Sequence, residues 1–177
     1  MDWLHSQNSG KASLPDKNTV SWILNIKEMR AQRAPGNTCL SALRSGKRGT
    51  VDDPVNNSKG CGGIMRVAPI GLFVKDPLRA ARIAADAAAL THGHPLGYIS
   101  SAAYAYIINR IVYTDDDLTD IISGCVKTIS REYGSYIETA RLIDLLTKAV
   151  ALAIPDDEPY IREHRHFERT TRMAEDA

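Results

Sequence analysis

Seven alanines between Asp76 and Thr91 narrow the choice of fold more than any other feature: Ala80, Ala81, Ala84, Ala85, Ala87, Ala88 and Ala89. Alanine has the strongest intrinsic preference for helix, and its short side chain lets two helices pack closely. Asp76-Pro77 supplies a cap and a proline at the first helical position, so a helix is predicted to about Thr91. Other helices are predicted on both sides. One carries Trp22, Ile23, Ile26 and Met29 near one face, capped by Asp16 or Asn18 and ended by Pro35-Gly36. A short helix through Leu40 and Leu43 follows, capped by Asn37 or Thr38 and stopped at Gly46. Ile64 to Phe73 reads as a helical segment bent or shortened by Pro69. Pro95 opens a helix to about Val112 with apolar residues on more than one side, which marks it as central. Asp116 or Asp117 caps the next, where Leu118, Ile121, Ile122, Cys125 and Ile129 fall on one stripe until Gly134. Tyr136 to Ile154 is a last amphipathic helix, ended by Pro155. No alternating strand pattern appears, so the predicted class is all-α, a multi-helix bundle.

At 177 residues one domain is expected, long enough to bury roughly 70% of its unfolded surface. Residues 1–17 read as a frayed polar segment, 18–154 as the helical domain, and 155–177 as a charged tail, either an exposed helix or disordered. The net charge of +1 argues against nucleic acid or an acidic membrane as partner. Met1 to Leu14 lacks the apolar core of a secretory signal, and no run is long enough to span a bilayer. Cys39, Cys61 and Cys125 are far apart and odd in number, which fits reduced thiols and a cytoplasmic location.

Chemistry concentrates in two places. Lys47 to Gly63 reads as a loop, and it ends in Gly60, Cys61, Gly62 and Gly63 before Ile64, Met65 and Arg66. Glycines there permit positive φ and close approach of backbone to a ligand, and successive N–H groups can cup an anion such as a phosphate. The same cluster also suits a plain tight turn. It is neither a Walker loop nor a dinucleotide fingerprint, because the required Gly-Lys-Ser/Thr and preceding strand are missing. Cys61 is either a nucleophile or a small residue filling the turn. The second place is Thr91-His92-Gly93-His94-Pro95, where one helix ends and another begins. His92 there serves helix-end chemistry or a ligand, and His94 orients the turn before Pro95. Arg66 either contacts a phosphate or braces packing through a carboxylate pair; Arg33 is a second bracing arginine. Asp115, Asp116 and Asp117 suit a helix start, and His164 and His166 a solvated tail.

Arg33-Ala34-Pro35-Gly36-Asn37-Thr38, then Gly60-Cys61-Gly62-Gly63-Ile64-Met65-Arg66-Val67-Ala68-Pro69-Ile70-Gly71, then Thr91-His92-Gly93-His94-Pro95 resembles the middle of the ADP-ribosylglycohydrolase family. The resemblance runs from about Trp22 to about Tyr113. It implies an all-helical fold and hydrolysis of the glycosidic bond of ADP-ribosyl conjugates with two magnesium ions. It further implies that Gly60, Cys61, Gly62, Gly63 and Met65 hold the diphosphate while His92 faces the ADP-ribose pocket. Catalytic residues are left unassigned.

The family's acidic and Thr-Asp-Asp elements are not found in Met1 to Ser21, nor its Gly-Asp-x-Asp-Thr element in Pro155 to Ala177. Thr114-Asp115-Asp116 stands in the wrong order to replace them. The chain is therefore expected to be a truncated version of the fold, to carry no metal ligands, and to be inactive or weakly active alone. An ADP-ribose-binding module without chemistry and a structural helical protein are the alternatives. ADP-ribose or an ADP-ribosylated protein is the expected partner, with self-association through exposed apolar faces.

Overall fold

The computed structural model describes residues 22–30 and 34–152. Segment 1–17, Arg33 and the tail 155–177 lie outside the described residues. Six α-helices follow in chain order: α1 Asn37–Arg44, α2 Ala68–Phe73, α3 Pro77–Ala89, α4 Pro95–Tyr113, α5 Leu118–Tyr133 and α6 Ile137–Ala151. No strand occurs among the described residues, so the domain is all-α.

Helix α4 is the axis of the domain and packs against α2, α3, α5 and α6. Its buried residues include Tyr98, Ile99, Ala102, Ala103, Ala105 and Asn109, which point to several sides, as its mixed apolar pattern predicts. Its most extensive neighbour is α3. Ala81, Ala85, Ala88 and Ala89 of α3 meet Tyr98, Ile99, Ala102 and Ala103 of α4, and Cys125, Ile129 and Tyr133 of α5 close the same cluster. Burial in this cluster pushes the Cys125 thiol up to about 12, so it serves as packing. A smaller cluster of Val67, Ala84 and Ala105 seats the start of α2.

The helix boundaries follow local chemistry in most places. Asp76 Oδ1 accepts the N–H of Arg79 at 2.6 Å, capping α3 as its sequence predicts. Gly46, just beyond α1, has φ of 70°, the left-handed conformation that favours glycine at a helix stop. Pro69 sits in the first turn of α2, behind a separate 3-10 turn at Ile64–Arg66, so the expected single bent helix is two short pieces. The stripe Trp22–Met29 also departs from expectation: it forms two 3-10 turns, Trp22–Asn25 and Lys27–Arg30, with Trp22, Ile26 and Met29 exposed. An apolar stripe becomes a helix mainly by packing, and these residues have little of it. At α1 the cap position falls on Gly36, and Asp117 occupies that of α5 without a side-chain cap bond.

Asn109 is the polar centre of the bundle. It is fully buried, and its Nδ2 donates to the carbonyls of Gly71, Val74 and Lys75 at 3.3, 2.6 and 3.3 Å. The carbonyls left over at the end of α2 are thereby tied to the middle of α4. Replacing Asn109 by Leu keeps the volume but strands these acceptors, and is expected to lower unfolding stability by about 1–3 kcal/mol. Urea denaturation measures it; an unchanged midpoint would show that this bond contributes nothing net.

Candidate functional site: a glycine loop closed onto a buried histidine

The segment from 46 to 60 holds no helix or strand and runs over the C-terminal end of α3. Gly49 is buried there, and a Cβ on it would collide with the Ala89 carbonyl. Asn56 then fastens the segment to the histidine turn. Its Nδ2 donates to the Thr91 carbonyl at 2.9 Å, and its Oδ1 accepts the N–H groups of Gly93 at 3.2 Å and Ser58 at 3.0 Å. The His94 N–H donates to the Ser58 carbonyl at 3.3 Å. Gly93 and Gly97 are needed for this closeness, because a Cβ at Gly93 would strike the Asn56 carbonyl and one at Gly97 would stand 3.1 Å from the Ser58 carbonyl.

The glycine loop lands on His92. A Cβ on Gly62 would stand 3.0 Å from His92 Cε1 and 3.1 Å from its Nε2, and one on Gly60 would stand 3.6 Å from Nε2. Gly63 faces the other way, where a Cβ would stand 3.1 Å from the Ala88 methyl and 3.3 Å from the Gly97 carbonyl. Each glycine is therefore a point of close approach. The expected positive φ is not found: among the described residues only Gly46 and Ala34 have it. The loop turns in ordinary conformations, and the absence of Cβ atoms is its contribution.

The Met65 N–H donates to the Cys61 carbonyl and the Arg66 N–H to the Gly63 carbonyl, which closes the turn into Ile64–Arg66. Among the described residues, no backbone hydrogen bond engages the N–H groups of Cys61, Gly62 or Gly63. Cys61 and Met65 are exposed at the mouth, whereas Gly63 and His92 are buried. Loop amides without a backbone partner suit an anionic oxygen.

His92 is 1% exposed, and its Nδ1 lies 2.8 Å from the Thr91 hydroxyl. Burial lowers its pKa, and the Arg66 guanidinium lowers it further. His94 acts differently, since its Nδ1 accepts the Leu96 N–H at 3.1 Å and caps α4, as its orienting role predicts. Among the described residues Arg66 pairs with no carboxylate. Its Nη2 donates to the carbonyls of Ala87 at 2.6 Å and Ala88 at 3.3 Å, and to the Thr91 hydroxyl at 2.7 Å. It braces packing, as one reading of the sequence has it, but through the exposed carbonyls at the end of α3. Asp116 belongs to a local turn, where the Arg110 guanidinium holds its carboxyl below the usual range and the Thr114 hydroxyl donates to it.

Sequence reasoning singled out Gly60, Cys61, Gly62, Gly63, Met65 and His92; the structure sets Gly60 and Gly62 against His92, turns Gly63 toward Ala88 and Gly97, and leaves Cys61 and Met65 exposed. It missed Asn56, Thr91 and Cys39, whose thiol lies 3.8 Å from Arg66 Nη1. Asn56 sits in an Asn-Asn-Ser turn, which signals a turn but not its partner thirty-five residues away.

An all-helical domain is the fold that the ADP-ribosylglycohydrolase resemblance implies. The chain belongs to that family: the model of the ADP-ribosylglycohydrolase family matches residues 1–173, well past both ends of the stretch that carries the motifs. The comparisons with curated proteins and with solved structures give no match.

The lowered pKa of His92 has a consequence for stability. The unfolded chain protonates this histidine near pH 6.5, while the folded state resists protonation to lower pH. The unfolded state thus binds more protons in that window, and stability rises with pH across it. The contribution is complete above pH 6.5 and is lost as pH falls through the folded value. Urea midpoints measured from pH 5 to 7.5 are expected to fall more steeply below pH 6.5 in wild type than in His92→Gln. Parallel curves would show that His92 titrates alike in both states.

Proposed function

We propose that this chain is an ADP-ribose-binding domain of the ADP-ribosylglycohydrolase family, with the loop Gly60–Gly63 as the seat of the diphosphate and His92 beside it. The observation that supports this most is a glycine loop that closes on the imidazole at Gly60 and Gly62, while the N–H groups of Cys61, Gly62 and Gly63 have no backbone partner among the described residues. A diphosphate oxygen would accept from these amides. Exposed Met65 at the mouth would contact the less polar part of the ligand. ADP-ribose itself or an ADP-ribosylated protein is the proposed partner.

Family hydrolysis depends on magnesium, which takes oxygen ligands, carboxylates above all. Among the described residues no three His, Cys, Asp or Glu side chains come together to hold a metal ion. No step of this proposal runs through magnesium. The proposed activity of the chain by itself is binding, with hydrolysis weak or lacking. No described helix is long and apolar enough to cross a membrane; a cytoplasmic location is part of this proposal.

A thermal melt of the purified protein in EDTA tests the reading. ADP-ribose at a hundredfold excess over its dissociation constant is expected to stabilise the fold by about 2.7 kcal/mol and raise the midpoint. Gly62→Ala, whose Cβ presses on His92, is expected to lose that shift. A cooperative melt unmoved by ADP-ribose would refute binding and favour a structural helical protein.

We also propose self-association. An apolar groove of about 630 Å³ is lined by Pro69, Ile70, Leu72, Phe73, Val74 and Ile83, with Phe73 87% exposed. A face of this kind suits contact with another surface. Sedimentation velocity is expected to show a concentration-dependent species that Phe73→Glu abolishes. A monomer at all concentrations would remove this proposal.

A further inference from the structure

Thr91 stands between a permanent donor and an imidazole. The residue is 3% exposed, and its hydroxyl lies 2.7 Å from Arg66 Nη2 and 2.8 Å from His92 Nδ1. A guanidinium only donates, so the Thr91 oxygen must accept from Arg66. The hydroxyl proton then needs an acceptor. The Cys39 sulfur is 4.0 Å away, a long contact, whereas His92 Nδ1 is at full hydrogen-bond distance. If the imidazole carried its proton on Nδ1, the hydroxyl would accept twice and its own buried proton would be left without a good partner, which is costly.

We propose that Arg66 is a positioning residue for His92: through the Thr91 hydroxyl it holds the imidazole in the tautomer that bears its proton on Nε2, the nitrogen facing Gly60 and Gly62. The order of donation is Arg66 Nη2 to Thr91 Oγ1, then Thr91 Oγ1 to His92 Nδ1. His92 consequently presents N–H, and never a lone pair, to the glycine loop. It adds a donor on the side of Gly60 and Gly62 and cannot serve there as a general base while neutral. Arg66 touches no ligand in this scheme. Two carbonyls on the end of α3 fix the guanidinium, and that rigidity orients the Thr91 hydroxyl. Only the consequence for ADP-ribose rests on the function proposed above; the tautomer does not.

Nitrogen-15 NMR on ligand-free, uniformly labelled protein at pH 7 reads the tautomer directly. The His92 ring is assigned by its disappearance in His92→Gln. Wild type is expected to show protonated Nε2 and unprotonated Nδ1, with no averaging. Thr91→Ser keeps the hydroxyl and is expected to keep that spectrum. Arg66→Met and Thr91→Val, each checked for a cooperative melt, are expected to give averaged shifts of a mixed tautomer. Protonated Nδ1 or a mixture in wild type overturns the proposal, as do folded Arg66→Met and Thr91→Val proteins that both keep the wild-type spectrum. Should neither variant fold, the wild-type and Thr91→Ser spectra still decide. Failure of wild type to bind ADP-ribose with Nε2 protonated would sink the binding function alone.

Discussion

Ala81, Ala85, Ala88 and Ala89 bring only methyl groups to the buried contact of α3 with α4 and α5. Dispersion and hydrophobic burial at such a contact come from many short atom pairs, and they need the helices close. The same closeness places the end of α3 beside the start of α4, so that a short turn joins them. Its centre is Thr91-His92-Gly93-His94, flanked by Leu90 and Pro95. A larger residue at Ala88 would push directly on Gly63, because a Cβ there already stands 3.1 Å from the Ala88 methyl. The site and the core therefore share one contact surface.

Two polar braces convert that packing into a site. Asn56 holds the incoming loop to the turn from one side, with three hydrogen bonds to backbone groups. Arg66 holds the turn from the other, donating to the carbonyls of Ala87 and Ala88 at the end of α3. Between them His92 is buried, and burial and the nearby Arg66 cation both favour its neutral form. In the proposed binding mode a neutral imidazole and the loop amides would form an anion seat built from dipoles. Such a seat stays in place when empty, since none of its groups depends on the ligand for its own position.

Much of the fold is legible along the chain. The Asp76-Pro77 cap, the alanine face of α3, the several-sided α4 and the stripe Ile121, Cys125, Ile129 of α5 all appear where local propensity and periodicity put them. The failures have a common cause. Trp22, Ile26 and Met29 have helical spacing but stay exposed in 3-10 turns, because spacing becomes a helix only when a partner surface covers it. Pro69 ends up in a first turn, where its missing N–H costs nothing, and no sequence pattern distinguishes that from a kink. For the site, the motif residues were legible as a group. Their relation was not: the glycines matter for what lies above them, and His92 and Cys39 are distant in sequence.

Propensity, caps and residue identity along the chain were enough for the helical class, most helix boundaries and the membership of the glycine loop and His92 in one family pattern. What those residues do for one another came from their packing in space. It made Gly60 and Gly62 clearances for an imidazole, turned Arg66 from an expected carboxylate partner into a donor to helix-end carbonyls, and brought Asn56 and Thr91 into the site. Hydrogen-bond direction and steric clearance act over a few ångströms, and partners twenty-five to thirty-seven residues apart acquire that proximity only when α3 and α4 pack.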